Sequence, residues 1–247
     1  NMSVAAARAA ATINHIGAVG FDGAWMLERL LEYGVDTRYI TVLDSESAQA
    51  LIAVDPKGEN AIILHPGANA KIPQTILQEA LSEAETGDWF VTQNETNLQR
   101  TGVALAKKMG LRVAYAAAPF DPERVKAVLE HLDFLILNAV EAEQLKQATG
   151  QGPGDLGVID VIVTLGGDGA DWYHRGSKEH FAAILVDPVD TTGAGDTFTG
   201  YVIAGLDRGL PMAQAIGLAT KAGALMVTRH GTADVIPDLS EVTAFLR

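Results

Sequence analysis

Hydrophobic and polar positions along this chain alternate between two periods, and the switches from one to the other mark most of its elements. Ile16 to Val19 is a short apolar run that reads as a buried strand, and Met26, Leu27, Leu30 and Leu31 then recur at helical spacing until Gly34 supplies a stop. Two alternating runs follow, Gln49 to Val54 and Ala61 to His65. The turn-rich segment Asp55 to Asn60 between them predicts a hairpin. From there helix and strand patterns alternate: helix at Gln74–Ala84, strand at Trp89–Gln93, helix at Leu98–Met109, strand at Arg112–Ala116, helix at Pro122–Leu132, strand at Phe134–Leu137. Such a rhythm implies parallel strands joined by crossover helices.

A helix ending at Thr149-Gly150 leads through a Gly/Pro loop to a buried strand at Val161–Leu165 and a glycine turn at 166–169. Ala170–His174 and Phe181–Val186 are expected to form a β-pair. Two long helical stretches, Ala194–Leu206 and Met212–Val227, and a short amphipathic helix at Leu239–Leu246 close the chain. The expected form is one α/β domain over 1–247, a three-layer α/β/α arrangement with a mostly parallel central sheet and a small β appendage at about 39–69.

Composition narrows the function without choosing it. A chain of 247 residues that is 48% hydrophobic and 20% charged can bury a full core. Its formal charge of -13 argues against nucleic acid or an anionic membrane as partner, because phosphate contacts need clustered Lys and Arg. The absence of cysteine removes disulfides and thiolate metal sites and suits a reducing cytoplasm. No run approaches the roughly 18 apolar residues of a membrane span, and the six histidines show no metal-site spacing.

The strongest local signal is Asp190-Thr191-Thr192-Gly193-Ala194-Gly195-Asp196-Thr197-Phe198, between a strand ending near Pro188 and a helix with the stripe Phe198, Val202 and Leu206. Gly193 and Gly195 leave backbone N–H groups open at a helix N-terminus, which carries partial positive charge and binds phosphate readily. Asp196 sits in the first turn, where a carboxylate of ordinary pKa can act as base in phosphoryl transfer. By itself Gly-x-Gly-Asp is equally compatible with a glycine turn capped by an Asp. The chain has neither Gly-x-x-x-x-Gly-Lys-Ser/Thr nor a Gly-x-Gly-x-x-Gly after its first strand, so phosphate handling must be of another type.

Residues 190–198 match without substitution the hallmark of the ribokinase-like carbohydrate kinases, and over essentially its whole length the chain resembles that family. The resemblance implies an ATP-dependent sugar kinase with Asp196 as base, aided by the N–H groups of Gly193, Ala194 and Gly195. Asn138-Ala139-Val140-Glu141 is similar to the family's Asn-x-x-Glu, which organises Mg²⁺ and the phosphates through water; read from the residues alone, Asn138 and Glu141 form a capping box. Thr164, Gly166, Gly167 and Gly169 would border the ATP, with Gly195 beside the phosphates, and the helix from Met212 would wall the adenine. Glu95 lies just past a parallel strand, where the family places a sugar contact and where a solvated loop carboxylate is an equal reading.

The resemblance extends to the termini of the site. Asn1 looks like the last residue of the family's Gly-Gly-Lys-Gly-Ala-Asn sugar motif, so the first strand and part of the lid are expected to precede it. Gly58-Glu59-Asn60 and Pro66 to Asn69 look like the family's lid over the sugar, and such lids often pair two subunits into a homodimer. Asp190, Thr192, Met226, Arg229 and Gly231 match the carbonyl donors to a monovalent cation, K⁺; Val235 replaces a serine that faces this ion in some relatives. Ribose is the first substrate expected, followed by fructose, 2-keto-3-deoxygluconate or a nucleoside. A non-catalytic sugar- or nucleotide-binding regulator is the reading from another class.

Overall fold

The structure, a computed structural model, describes residues 1–54 and 60–245, with backbone alone at 52–54 and 60–62. The expected turn from Asp55, including Gly58-Glu59, falls outside the described residues. In chain order the elements are α1 (Met2–Arg8), β1 (Ile13–Asn14), β2 (Gly17–Gly20), α2 (Ala24–Glu32), β3 (Val35–Asp36), β4 (Ile40–Leu43), β5 (Gln49–Val54) and β6 (Asn60–His65). Next come α3 (Gln74–Ser82), β7 (Trp89–Thr92), α4 (Gln99–Lys108), β8 (Arg112–Ala116), α5 (Pro122–Lys126), β9 (Phe134–Asn138), α6 (Ala139–Thr149) and β10 (Asp160–Thr164). The chain ends through β11 (Ala170–His174), β12 (Ser177–Phe181), α7 (Ala194–Asp207), α8 (Met212–Val227) and α9 (Leu239–Ala244).

A six-stranded sheet ordered β12-β11-β10-β9-β8-β7 forms the middle layer. Strands β7 to β10 run parallel, and β11 and β12 extend the sheet antiparallel. Pleating sends Val113, Tyr115, Leu135, Leu137, Val161 and Val163 to a core with Val103, Val125 and Leu145 from α4, α5 and α6. Ala114, Ala116, Phe134, Ile136 and Ile162 face the other way, against Val4, Tyr201, Ile216 and Val242 of α1, α7, α8 and α9. Burial on both faces explains why β9 reads as the unbroken apolar run Phe-Leu-Ile-Leu. These two cores make the three layers.

Three two-stranded sheets complete the fold: β1 with β3 and β2 with β4, both parallel, and β5 with β6, antiparallel with Gln49 opposite His65. Within the β appendage expected at 39–69, only β5 and β6 pair with each other; β4 turns back to β2.

The structure corrects three element boundaries. The partner of β11 is Ser177–Phe181 rather than Phe181–Val186. Arg175 and Gly176, both at positive φ, make the two-residue turn that matches strand twist, and the exposed Ser177 to His180 carry no apolar signal. The helix expected over Pro122–Leu132 is split into α5 and a 3-10 turn at Leu129–His131. Val125, Val128 and Leu132 are nevertheless all buried, since their spacing suits two short turns as well as one helix. Finally, α9 stops at Ala244, held at its start by a reciprocal cap between Asp238 and Glu241.

Helix α7 is the element on which the site depends, and α1 crosses it at Gly200. A Cβ at Gly200 would lie 2.6 Å from Ala5 Cβ and 2.7 Å from the Met2 carbonyl oxygen. Helix propensity alone favours Gly→Ala by about 1 kcal/mol, whereas overpacking a core costs about 1–3 kcal/mol. We expect Gly200→Ala to lower Tm despite its propensity gain, and Gly223→Ala on α8, where a Cβ meets nothing within 4 Å, to hold or raise it. Thermal unfolding of the two variants beside the parent checks the sign.

Candidate active site

The parallel strands β7 to β10 end on one edge of the sheet, the edge where open α/β sheets bind ligands. A cleft of about 240 Å³ crosses that edge. Its walls include Gln93 after β7, Ala117 and Ala118 after β8, Asn138 and Glu141 after β9, Thr164 at the end of β10, and Gly193, Gly195 and Asp196 at the start of α7. Six of the residues expected in the site therefore come from three separate stretches of chain and meet in one cavity.

At the start of α7, Gly193 is left-handed (φ 80°). The Ala194 N–H is taken by the Thr191 carbonyl at 3.2 Å, and the Thr197 N–H closes on Gly193 at 2.9 Å. The N–H groups of Gly195 and Asp196 have no protein acceptor among the described residues, and a Cβ at Gly195 would meet only open space. Unpaired donors at a helix N-terminus create a site for an anion. Of the expected trio, Ala194 is thus the one whose N–H already has a partner within the turn.

The Asp196 carboxylate is fixed by Asn1, whose Nδ2 donates to Oδ2 at 3.0 Å. Asn1 and Asp196 lie 195 positions apart, so this contact exists only because α1 packs on α7. Glu95, in the loop after β7, is not among the residues that line the cleft. Partial burial nevertheless raises its carboxyl above the usual range, and the Asp196 charge raises it further.

The loop carrying Glu95 is tied down by its neighbours. The buried Asn94 donates from Nδ2 to the Ala117 carbonyl at 3.0 Å and accepts from the Tyr115 hydroxyl. Burial pushes the Tyr115 phenol up to about 12, which keeps it a donor. Arg124 Nη1 adds a bond to the Asn94 carbonyl at 3.0 Å. Asn94, Tyr115 and Arg124 were not singled out from the sequence, where nothing local distinguishes them.

Asn138 and Glu141 do form the capping box: Asn138 Oδ1 accepts the Glu141 N–H at 2.9 Å, and Glu141 Oε2 accepts the Asn138 N–H at 2.8 Å. That arrangement does not exhaust Glu141. Its Oε1 has no hydrogen-bond partner among the described residues, the side chain lines the cleft, and burial raises its pKa. A carboxylate oxygen of this kind suits a hard divalent cation. Among the described residues no three His, Asp or Glu side chains converge, so such an ion would be held mainly by phosphate oxygens and water.

Thr164 reaches the cleft, but Gly166 and Gly167 lie in the 3-10 turn beyond it and Gly169 directly follows that turn. Gly169 (φ 100°) is there for space, because a Cβ would strike the Phe181 carbonyl oxygen at 2.0 Å. Asp190 Oδ1 accepts the Thr192 N–H at 2.9 Å and Oδ2 the Gly231 N–H at 3.3 Å, and these bonds hold its carboxyl below the usual range. The carbonyls of Asp190, Thr192, Arg229 and Gly231 accept no backbone hydrogen bond among the described residues. Met226 differs. Its carbonyl accepts the Arg229 N–H at 3.0 Å, and its sulfur takes the Thr197 hydroxyl at 2.6 Å beneath Gly193.

A helix N-terminus with N–H groups open to an anion, and a carboxylate beside it at the strand ends, is an arrangement able to hold a phosphoryl group next to an acid–base group. The chain belongs to the pfkB family of carbohydrate kinases, which matches residues 1–239. It is 30% identical over 261 residues to the ribokinase of Haemophilus influenzae, covering 100% of this chain and 85% of that one. It is 28% identical to the deoxyribokinase of Salmonella typhimurium, again covering 100% and 85%. Among solved structures, Arabidopsis thaliana ribokinase complexed with ribose and ATP matches with a TM-score of 0.87 and 25% identity over 100% of this chain and 85% of that one. This protein is a sugar kinase of the ribokinase-like group.

The charge of Asp196 is the second cause of the raised Glu95 pKa. Asp196→Asn removes a like charge, so the Glu95 midpoint should move down while burial keeps it above the ordinary value. Side-chain ¹³C titration of Glu95 by NMR tests this, and an unmoved midpoint would show that the two carboxylates do not sense each other.

Proposed function

We propose that the protein transfers the γ-phosphoryl group of ATP to the primary hydroxyl of ribose, in the cytoplasm, where ATP and Mg²⁺ are both at hand. The observation that carries this reading is the placement of the Asp196 carboxylate in the first turn of α7, beside N–H groups that lack acceptors and above the strand ends. Asp196 takes the proton of the sugar hydroxyl as the oxygen attacks phosphorus. The N–H groups of Gly195 and Asp196 receive the charge that develops on the transferred phosphoryl oxygens, where fixed dipoles act without reorganising. Asn1 aims Asp196, and Glu95 accepts hydrogen bonds from the sugar's other hydroxyls. The Ala-rich face of α8 and the Thr164 to Gly167 strand end border the nucleotide.

Mg²⁺, when bound with ATP, neutralises charge on the β- and γ-phosphates. This chain's part in that is the Glu141 carboxylate, held in place through the Asn138 cap. A monovalent cation at the carbonyls of Asp190, Thr192, Arg229 and Gly231 would brace the turn that presents Gly193 to Asp196. The β5–β6 hairpin serves as the lid, and Leu51, Ile63 and Leu64 on it are 67%, 68% and 59% exposed, a surface that suits a second copy of the chain.

Asp196→Asn retains the size of the side chain and an oxygen able to accept from Asn1, and removes its charge. General bases contribute about 10² to 10⁴ in rate, so kcat should fall by at least 10²-fold while ATP binding holds or improves and Tm is unchanged; a mere cap would lose only a few tenths of a kcal/mol. A panel of ribose, deoxyribose, fructose, 2-keto-3-deoxygluconate and inosine, read by ADP release, tests the substrate. Turnover of any other member far above ribose replaces ribose and leaves the kinase in place.

The cation has its own test. Rates should rise when tetramethylammonium is exchanged for potassium at constant ionic strength, less steeply than in Val235→Ser, because the Val235 side chain offers no oxygen. Equal rates in the two salts would remove the ion from the mechanism.

A further inference from the structure

Both roots of the β5–β6 hairpin gather on one short segment. After β6 the chain makes a 3-10 turn at Gly67–Lys71, and the Ala68 N–H donates at 2.9 Å to the carbonyl of Glu46, three residues before β5. The same turn is fastened on its other side by a single residue, Asn97. Its side chain pairs with Ile72 in both directions, Oδ1 accepting the Ile72 N–H at 3.1 Å and Nδ2 donating to the Ile72 carbonyl at 3.0 Å. Its own N–H donates to the Asn69 carbonyl at 3.2 Å. One residue thus satisfies three groups on the lid root, two through its side-chain amide and one through its backbone N–H.

Asn97 lies two residues after Glu95, in the loop that Asn94 anchors to the end of β8. A second observation marks the same place. Leu98 adopts φ 64°, the left-handed region that a branched residue enters only at a cost, and it packs with Ala18, Ala68 and Ile72 under the lid root. Strain of this kind persists where the surroundings over-determine it, and here the determinants are the bonds of Asn97 on one side and the apolar seat of Leu98 on the other.

From this geometry we infer that Asn97 is a positioning residue that fixes the lid root against the Glu95 loop and so sets the affinity for the sugar. The inference rests on the proposed reading of Glu95 as a sugar contact. A lid that swings from 67–72 and a carboxylate at 95 can grip the same molecule only if the distance between their supports is constant. The Asn97 amide supplies that constancy because it closes a ring of two opposed hydrogen bonds, as a strand pair would, and neither Asp nor Leu can replace it. Asp offers no donor to the Ile72 carbonyl, and Leu offers neither donor nor acceptor.

Steady-state kinetics of Asn97→Ala and Asn97→Asp, with ribose or whichever sugar the panel selects, test it. We expect the sugar KM to rise about tenfold while the ATP KM at saturating sugar changes less than about twofold, since the phosphate site on α7 does not contact Asn97. A variant of which only a fraction is folded would lower kcat and leave both KM values where they are, and a general loosening of the cleft would move both together; either result overturns the inference. Glu95→Gln run in parallel separates the two readings: if it leaves the sugar KM unmoved, the role of Glu95 fails; if it raises KM while Asn97→Ala does not, the role of Asn97 fails. Should both Asn97 variants prove insoluble, amide exchange of the parent decides, because the Ile72 and Asn97 N–H groups should share one opening event and have protection factors within about threefold of each other. A difference above about tenfold would mean that the lid root and the loop move independently.

Discussion

A helix cannot satisfy its first N–H groups from within, and in α7 that unmet need faces the open edge of the sheet. Everything in the cleft is arranged around it. The Ala194 N–H is absorbed by the turn at Thr191, so the donors that remain are those of Gly195 and Asp196, pointing where a phosphoryl group would pass. On the proposed reading, the acidic side chain of this same turn is next to the atoms it would act on, without any further loop to bring it there.

The position of α7 is in turn a packing result. Gly200 lets α1 approach to van der Waals contact, Ala215 lies against Gly205 from α8, and Tyr201, Val202 and Ile216 seal the layer against β8 to β10. Closeness to α1 is what puts Asn1 within hydrogen-bond reach of Asp196. Stability and chemistry share residues here: a methyl group added at the α1–α7 crossing would press on the helix whose first turn forms the anion site.

Much of this was legible in the residues themselves. Apolar runs in β8, β9 and β10 mark strands covered on both faces, and the glycines of Asp190 to Phe198 mark the turn that opens α7. Asn138 and Glu141 show that a local motif can carry two meanings, since their spacing predicts the cap and the same side chains reach the cleft. What stayed hidden was of two kinds. Strand β12 is an exposed edge whose Ser, Lys, Glu and His leave no apolar trace, so only its Arg175-Gly176 turn could have announced it. Asn94, Asn97, Tyr115 and Arg124 act through partners more than 20 positions away, and no window along the chain contains both ends of such a bond.

The mutual repulsion of Glu95 and Asp196 has a consequence for the end of the catalytic cycle. On the proposed reading, a neutral sugar would bring hydroxyl donors to Glu95 and to the Asp196 oxygen that Asn1 leaves free. Its phosphorylated product would carry up to two negative charges next to those same carboxylates. The pair that accepts the substrate would then repel the product, so that release of the sugar phosphate would be favoured by charges present before the reaction began.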